Sequence, residues 1–106
     1  MEIYQATEAF SSLSQETRLK VFRLLIEYGR DGVAPGKMAA KLKIPDNTLS
    51  FHLAHMNKVG LISSKKNGRS ISYFANTSLI EELITYLKTN CCSRENQAKK
   101  KIKRSC

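Results

Sequence analysis

Between Pro35 and Ile62 the chain reads "PGKMAAKLKIPDNTLSFHLAHMNKVGLI", and Pro45 in its middle constrains the fold more than any other residue. Met38, Ala39 and Leu42 keep helical spacing before it, and Leu49, Leu53 and Met56 keep it afterwards. A proline ring removes a backbone donor and clashes with the preceding turn, so the first helix cannot run through Pro45. Asp46 or Asn47 is able to cap a second helix. Two short helices, Pro35 to Leu42 and Asp46 to Gly60, joined by a tight turn, make a helix-turn-helix. Directly after it, "LISSKKNGRSISYFA" places β-branched and aromatic residues at near-alternate positions around Asn67-Gly68, the strongest short hairpin signal. A two-stranded hairpin after a helix-turn-helix is a wing.

The flanking segments supply the core. Ile3, Ala6, Phe10 and Leu13 are spaced as one face of a helix, and "SQETRLKVFRLLIEYG" carries Leu19, Phe22, Leu25 and Ile26 in register before stopping at Gly29. From Thr77, "TSLIEELITYLKTN" sets Leu79, Leu83 and Leu87 in one stripe with Ile80 and Ile84 beside it. That stripe is wide for the last helix of a chain of 106 residues, so it is expected to meet its counterpart in a homodimer, with the first helix contributing. The expected fold is mainly α with a small β-hairpin, a dimeric winged helix-turn-helix over residues 1–90. Residues 91–106 form a basic, cysteine-containing tail, expected to be disordered from Ser93 on because Ile102 is its one large apolar residue.

Charge points to a polyanion. The net charge is +9, yet residues 37–69 hold seven Lys or Arg against one acid and the tail from 91 holds six against one. Stepping 100° per residue along the helix from Asp46, the positions opposite Leu49, Leu53 and Met56 are Asn47, Ser50, Phe51, Ala54 and Lys58, flanked by Thr48 and His55. Small polar groups suit base edges in a major groove. Phe51 either touches a thymine methyl or packs on the wing or a neighbouring helix. Lys58, Lys65, Lys66 and Arg69 are expected on phosphates. His52 falls near the buried edge, packed or phosphate-bonded, and His55 is expected to be the more open to DNA. No apolar run reaches the ~18 residues of a membrane span and no signal-peptide plan appears, so a cytoplasmic protein without membrane contact is expected. With no catalytic constellation, an enzyme is not expected.

Taken together, "LSQETRLKVFRLLIEYG", "PDNTLSFHLAHMNKVGLI" and "KKNGRSISYFA" resemble the ArsR family of bacterial metalloregulatory repressors, over residues 7–90. The resemblance implies a dimer that binds double-stranded operator DNA and is released by a thiophilic or metal inducer. It maps DNA reading onto Asn47, Thr48, Ser50, Phe51 and His52, and dimerisation onto the first and last helices. Two familiar sensing sites are missing: "PGKMAAKL" has no cysteine, and "TSLIEELITYLK" has only Glu81 and Glu82. The Asn-Cys-Cys after the last helix resembles a branch that senses arsenite through a vicinal pair plus a third cysteine, here Cys106, which lies farther off than that branch suggests.

The chemistry of the pair agrees with that assignment. Three cysteines, two of them adjacent, suit reduced thiols better than a disulfide framework. Trivalent arsenic is soft and takes two or three thiolates. Side chains of adjacent helical residues diverge by about 100°, so Cys91 and Cys92 converge only if the helix unwinds, and Asn90 accepts such a break. Cys106 is either a third ligand or a passive terminal thiol. The expected function is an arsenite-responsive repressor. A redox, cadmium or lead signal through the same cysteines remains the alternative, and a protein-interaction adaptor the remoter one.

Overall fold

The computed structural model describes residues 1–96. It contains α1 (Ile3–Leu13), α2 (Glu16–Tyr28), a 3-10 turn (Gly29–Asp31), α3 (Pro35–Leu42), α4 (Asp46–Lys58), β1 (Ile62–Asn67), β2 (Ser70–Ala75) and α5 (Thr77–Lys88). The order is that of a winged helix-turn-helix. The central member is α2, which packs on α1, α3, α4 and β2. Its Val21, Phe22, Leu24 and Leu25 meet Met38 and Ala39 of α3, Leu49, Leu53 and Met56 of α4, and Leu61 and Ile62 at the root of the wing.

The turn between α3 and α4 is set by Lys43, which takes the left-handed conformation at φ 55°. Ile44 N donates to Ala39 O at 3.0 Å across it, sharing a carbonyl at the end of α3 that also accepts from Lys43 N. The expected cap of α4 is displaced: Pro45 occupies the N-cap, and neither Asp46 nor Asn47 caps the helix. The Asn47 side chain instead accepts from Thr48 N at 2.9 Å. Before α2 the cap is Gln15, whose side chain accepts from Arg18 N at 2.8 Å.

In the wing, β1 and β2 pair antiparallel with Asn67 opposite Ser70. The loop is therefore Gly68-Arg69, one residue later than an Asn-Gly loop, with Gly68 at φ 65° as the first central residue of a II′-type turn requires. The base of the wing is stitched down. Val33 and Tyr73 exchange backbone hydrogen bonds of 3.0 and 2.9 Å, and Asn76 donates from Nδ2 to Gly60 O at 2.8 Å while its Oδ1 accepts from Leu79 N at the start of α5.

Two apolar faces, those of α1 and α2, are rotated from expectation, and that of α5 is left largely uncovered as expected. On α1 the buried residues are Ala6, Ala9 and Ser12, while Ile3 is 68% exposed and Phe10 is exposed as well. Small side chains let the α1 backbone come close to the core, and the bulky ones turn outward. On α2, Val21 and Leu24 are buried where Leu19 and Ile26 were expected, because α2 is covered on several sides by different elements. On α5 only Leu83 is buried. Leu79 and Ile80 are half-buried, and Ile84 and Leu87 stand in solvent, Leu87 at 65% exposure. Beyond α5 the described chain continues in hydrogen-bonded turns, with Ser93 N donating to Asn90 O and Glu95 N to Cys92 O. Ile102 and Cys106 lie outside the described residues.

Gly32 holds φ 69°, and a Cβ there would sit 2.6 Å from the Phe74 ring. Gly32→Ala is expected to cost about 1–3 kcal/mol in denaturant unfolding. Gly68→Ala, at a similar φ but in open space, should lose only the ~1 kcal/mol of left-handed strain.

Candidate nucleic-acid interface

Burial of Leu49, Leu53 and Met56 fixes the rotation of α4 about its own axis, and the opposite side is open. Asn47, Thr48, Ser50, Phe51, Ala54 and Lys58 are all exposed. Phe51 is 69% exposed, too open to be packed on the wing or a neighbouring helix, and its ring lies edge-on to the adjacent His52 at 5.8 Å between centroids. An aromatic ring presented among small polar groups is suited to a groove. The wing brings Lys65, Lys66 and Arg69 to its exposed tip, opposite Ser72 and Ile71 of β2. Successive strand residues point to opposite faces, so Lys65 and Lys66 flank the ribbon on both sides.

Both imidazoles are half-buried, and His55 Nδ1 lies 3.1 Å from Ser12 Oγ of α1. His52 Nδ1 lies 3.4 Å from Arg18 Nη1 of α2. Burial lowers the basicity of His52 most, with the nearby charges of Arg18 and His55 adding to it. Arg18 and Ser12, both on other helices, are therefore part of the reading-helix environment. A linear helical projection of α4 contains no signal for either.

Not every cation of the basic segment is spread along that face. Lys37 and Lys41 of α3 lie over the Tyr28 ring, 4.6 and 5.9 Å from its centroid. A hydrogen bond from Lys41 is the main reason the Tyr28 hydroxyl is more acidic than usual.

The cysteines sit just past α5, where the helix does break. Asn90 and Cys92 take positive φ of 65° and 61°, and Cys91 N donates to Lys88 O at 2.9 Å. This kink brings the two Sγ atoms to 3.6 Å. Two bonds of ~2.3 Å, the length of a metal–thiolate bond, meeting at ~100° span ~3.5 Å, so the spacing fits two thiolates on one soft ion. Among the described residues no group of three or more His, Cys, Asp or Glu could hold a metal ion. The expectation of reduced thiols is not met at Cys91, which is disulfide-bonded. Among the described residues no helix is long and apolar enough to cross a membrane.

Comparison with known proteins agrees with this geometry. Residues 13–64 match the model of a helix-turn-helix domain family. The chain is 34% identical over 85 residues to an uncharacterized HTH-type transcriptional regulator of Methanocaldococcus jannaschii, covering 79% of this chain and 93% of that protein. It is 30% identical to the HTH-type transcriptional regulator YbzH of Bacillus subtilis, covering 77% and 94% respectively. Among solved structures, an ArsR-like transcriptional regulator from Rhodococcus sp. RHA1 superposes with a TM-score of 0.76 at 27% identity, over 98% of this chain and 97% of the other. HlyU from Vibrio cholerae, at 22% identity and a TM-score of 0.68 over 87% of this chain and 99% of its own, shares the fold.

If the wing lysines touch phosphates, Lys65→Gln with Lys66→Gln should weaken every duplex alike. The slope of log K against log salt should fall by about 0.9 per lysine, measured by fluorescence anisotropy across salt concentrations.

Proposed function

This chain belongs to the ArsR-like family of helix-turn-helix transcriptional regulators, and from that premise we propose that it is a homodimeric repressor released from operator DNA by trivalent arsenic at Cys91 and Cys92. It is a DNA-binding regulator. The open face of α4 beside a cationic wing supports the reading that Asn47, Thr48, Ser50 and Phe51 meet base edges while Lys58, Lys65, Lys66 and Arg69 meet phosphates.

Dimerisation is supported by what α1 and α5 leave uncovered. Ile84 and Leu87 on α5, with Ile3 and Phe10 on α1, are large apolar side chains in solvent, and burying them against a second copy gains about 25 cal/mol per Å². Two α4 helices held at one fixed spacing can then engage two half-sites. Leu87→Glu with Ile84→Glu should yield a monomer in sedimentation and lose operator affinity, with the far-UV spectrum retained.

The observation that supports the choice of signal is the kinked helix end that sets two sulfurs 3.6 Å apart, a spacing two thiolates can use once Cys91 is reduced. Trivalent arsenic supplies a soft centre that thiolates capture. Cys91 and Cys92 would hold it, with Cys106 as the third ligand. Because the pair directly follows α5, capture there biases the dimer contact, and a coupling of ~1–3 kcal/mol gives a roughly 5- to 150-fold loss of operator affinity. A thiol redox signal is the second reading, favoured by the disulfide state of Cys91. Titrating the reduced protein with arsenite while following operator binding separates them. Release at one arsenic per chain by native mass, abolished in Cys91→Ser, is expected; retained binding at saturating arsenite rejects the arsenic reading, and release by oxidant alone would then favour the redox one.

A further inference from the structure

Ser12 is the one buried polar side chain among the described residues, and it sits where α1, α2 and α4 converge. Its carbonyl accepts from Arg18 Nε at 2.8 Å, and its hydroxyl meets His55 Nδ1 at 3.1 Å. With Nε so anchored, the Arg18 guanidinium reaches α4 through Nη1, 3.4 Å from His52 Nδ1. We propose that Arg18 is a positioning residue, holding His52 as the neutral Nε2–H tautomer so that its ring offers one fixed donor to an acceptor on the duplex. The inference about tautomer stands on the free protein; its consequence for DNA rests on the function proposed above.

What each group can donate decides the tautomer. A guanidinium carries five N–H donors, has no acceptor and stays protonated. The nitrogen facing it must therefore accept, so Nδ1 is bare and the single ring proton sits on Nε2. Adding a second proton would aim an N–H at Nη1. The surroundings oppose that proton as well. Arg18 from α2 and His55 on α4 are the charged or titratable groups that act on the ring, and the α1 hydroxyl nearby, of Ser12, is neutral and meets His55. Among the described residues no carboxylate lies within ion-pair distance of Arg18 to offset its charge. Burial, the largest effect, then Arg18, then His55, all lower the ring's basicity. Phe51 stands edge-on to the ring on its exposed side.

A fixed donor has a use on this helix. An imidazole free to flip or titrate presents a donor, an acceptor or a cation at a given atom, whereas a locked one presents one signal. The acceptor on the duplex is either a base edge or a phosphate oxygen. His52→Ala separates these: loss confined to the operator marks a base edge, and equal loss on all duplexes marks a phosphate.

The test begins on the free full-length protein with long-range ¹H–¹⁵N spectra of the two imidazoles across pH 5 to 8. The wild type should show His52 protonated at Nε2 and bare at Nδ1, with its midpoint below the ordinary ~6.5. In Arg18→Gln the midpoint should rise and the proton should spread over both nitrogens. A proton on Nδ1 in the wild type, a reading that needs no variant, would overturn the proposal, as would a midpoint unmoved in Arg18→Gln. Operator binding supplies the second readout. His52→Ala should weaken it about 3- to 10-fold, the worth of one hydrogen bond, and adding Arg18→Gln to His52→Ala should weaken it no further. Additive losses with a lower salt slope would mean that Arg18 touches phosphate itself, and would reject a positioning role. Wild type that fails to prefer any operator sequence would count against the proposed function, while the spectra still decide the role of Arg18.

Discussion

The burial of Leu49, Leu53 and Met56 against α2, α3 and the root of the wing is the contact on which the rest depends. A helix of 13 residues is marginal in isolation, so α4 exists because one stripe of it is covered. The same stripe fixes its rotation. Once three side chains at helical spacing point inward, Asn47, Ser50, Phe51 and Lys58 have no choice but to point outward. Core packing and the presentation of a reading face are thus one event.

Polar contacts refine what that packing leaves loose. The turn before α4 is closed by a lysine in a left-handed conformation, and its strain is offset by the carbonyl it satisfies on α3. Around Ser12, three helices share a small network in which a donor-only guanidinium dictates the state of an imidazole. A fully satisfied network of this kind fixes one arrangement where apolar packing alone tolerates several. No buried side-chain nitrogen or oxygen among the described residues lacks a partner.

The two ends of the described chain follow another logic. α1 approaches the core through alanine and serine, and α5 through Leu83, and both leave bulky apolar residues outside. A stripe that a monomer cannot cover is stable only with a second copy or at the cost of hydrating it. The cysteine pair lies just beyond that stripe, where two left-handed residues end the helix and turn adjacent sulfurs toward each other. A change at the sulfurs is therefore mechanically close to the surface on which the subunits would meet.

The linear sequence determined the elements that local chemistry controls. Pro45 divided α3 from α4, the glycine after Asn67 closed the wing, and the spacing of Leu49, Leu53 and Met56 chose the outer face of α4. Asn90 marked where α5 would break. Each depends on neighbours within a few residues, so periodicity and backbone preference suffice to read it. The rotation of α1 and α2 did not yield to the same reasoning, because apolar residues nearly encircle them and only the positions of other helices decide which side is inside. Nor did the pairing of Arg18 with His52 or of Ser12 with His55, 34 and 43 residues apart along the chain. Contacts of that separation exist only after α2 and α4 have been packed together, so tertiary structure alone decided them.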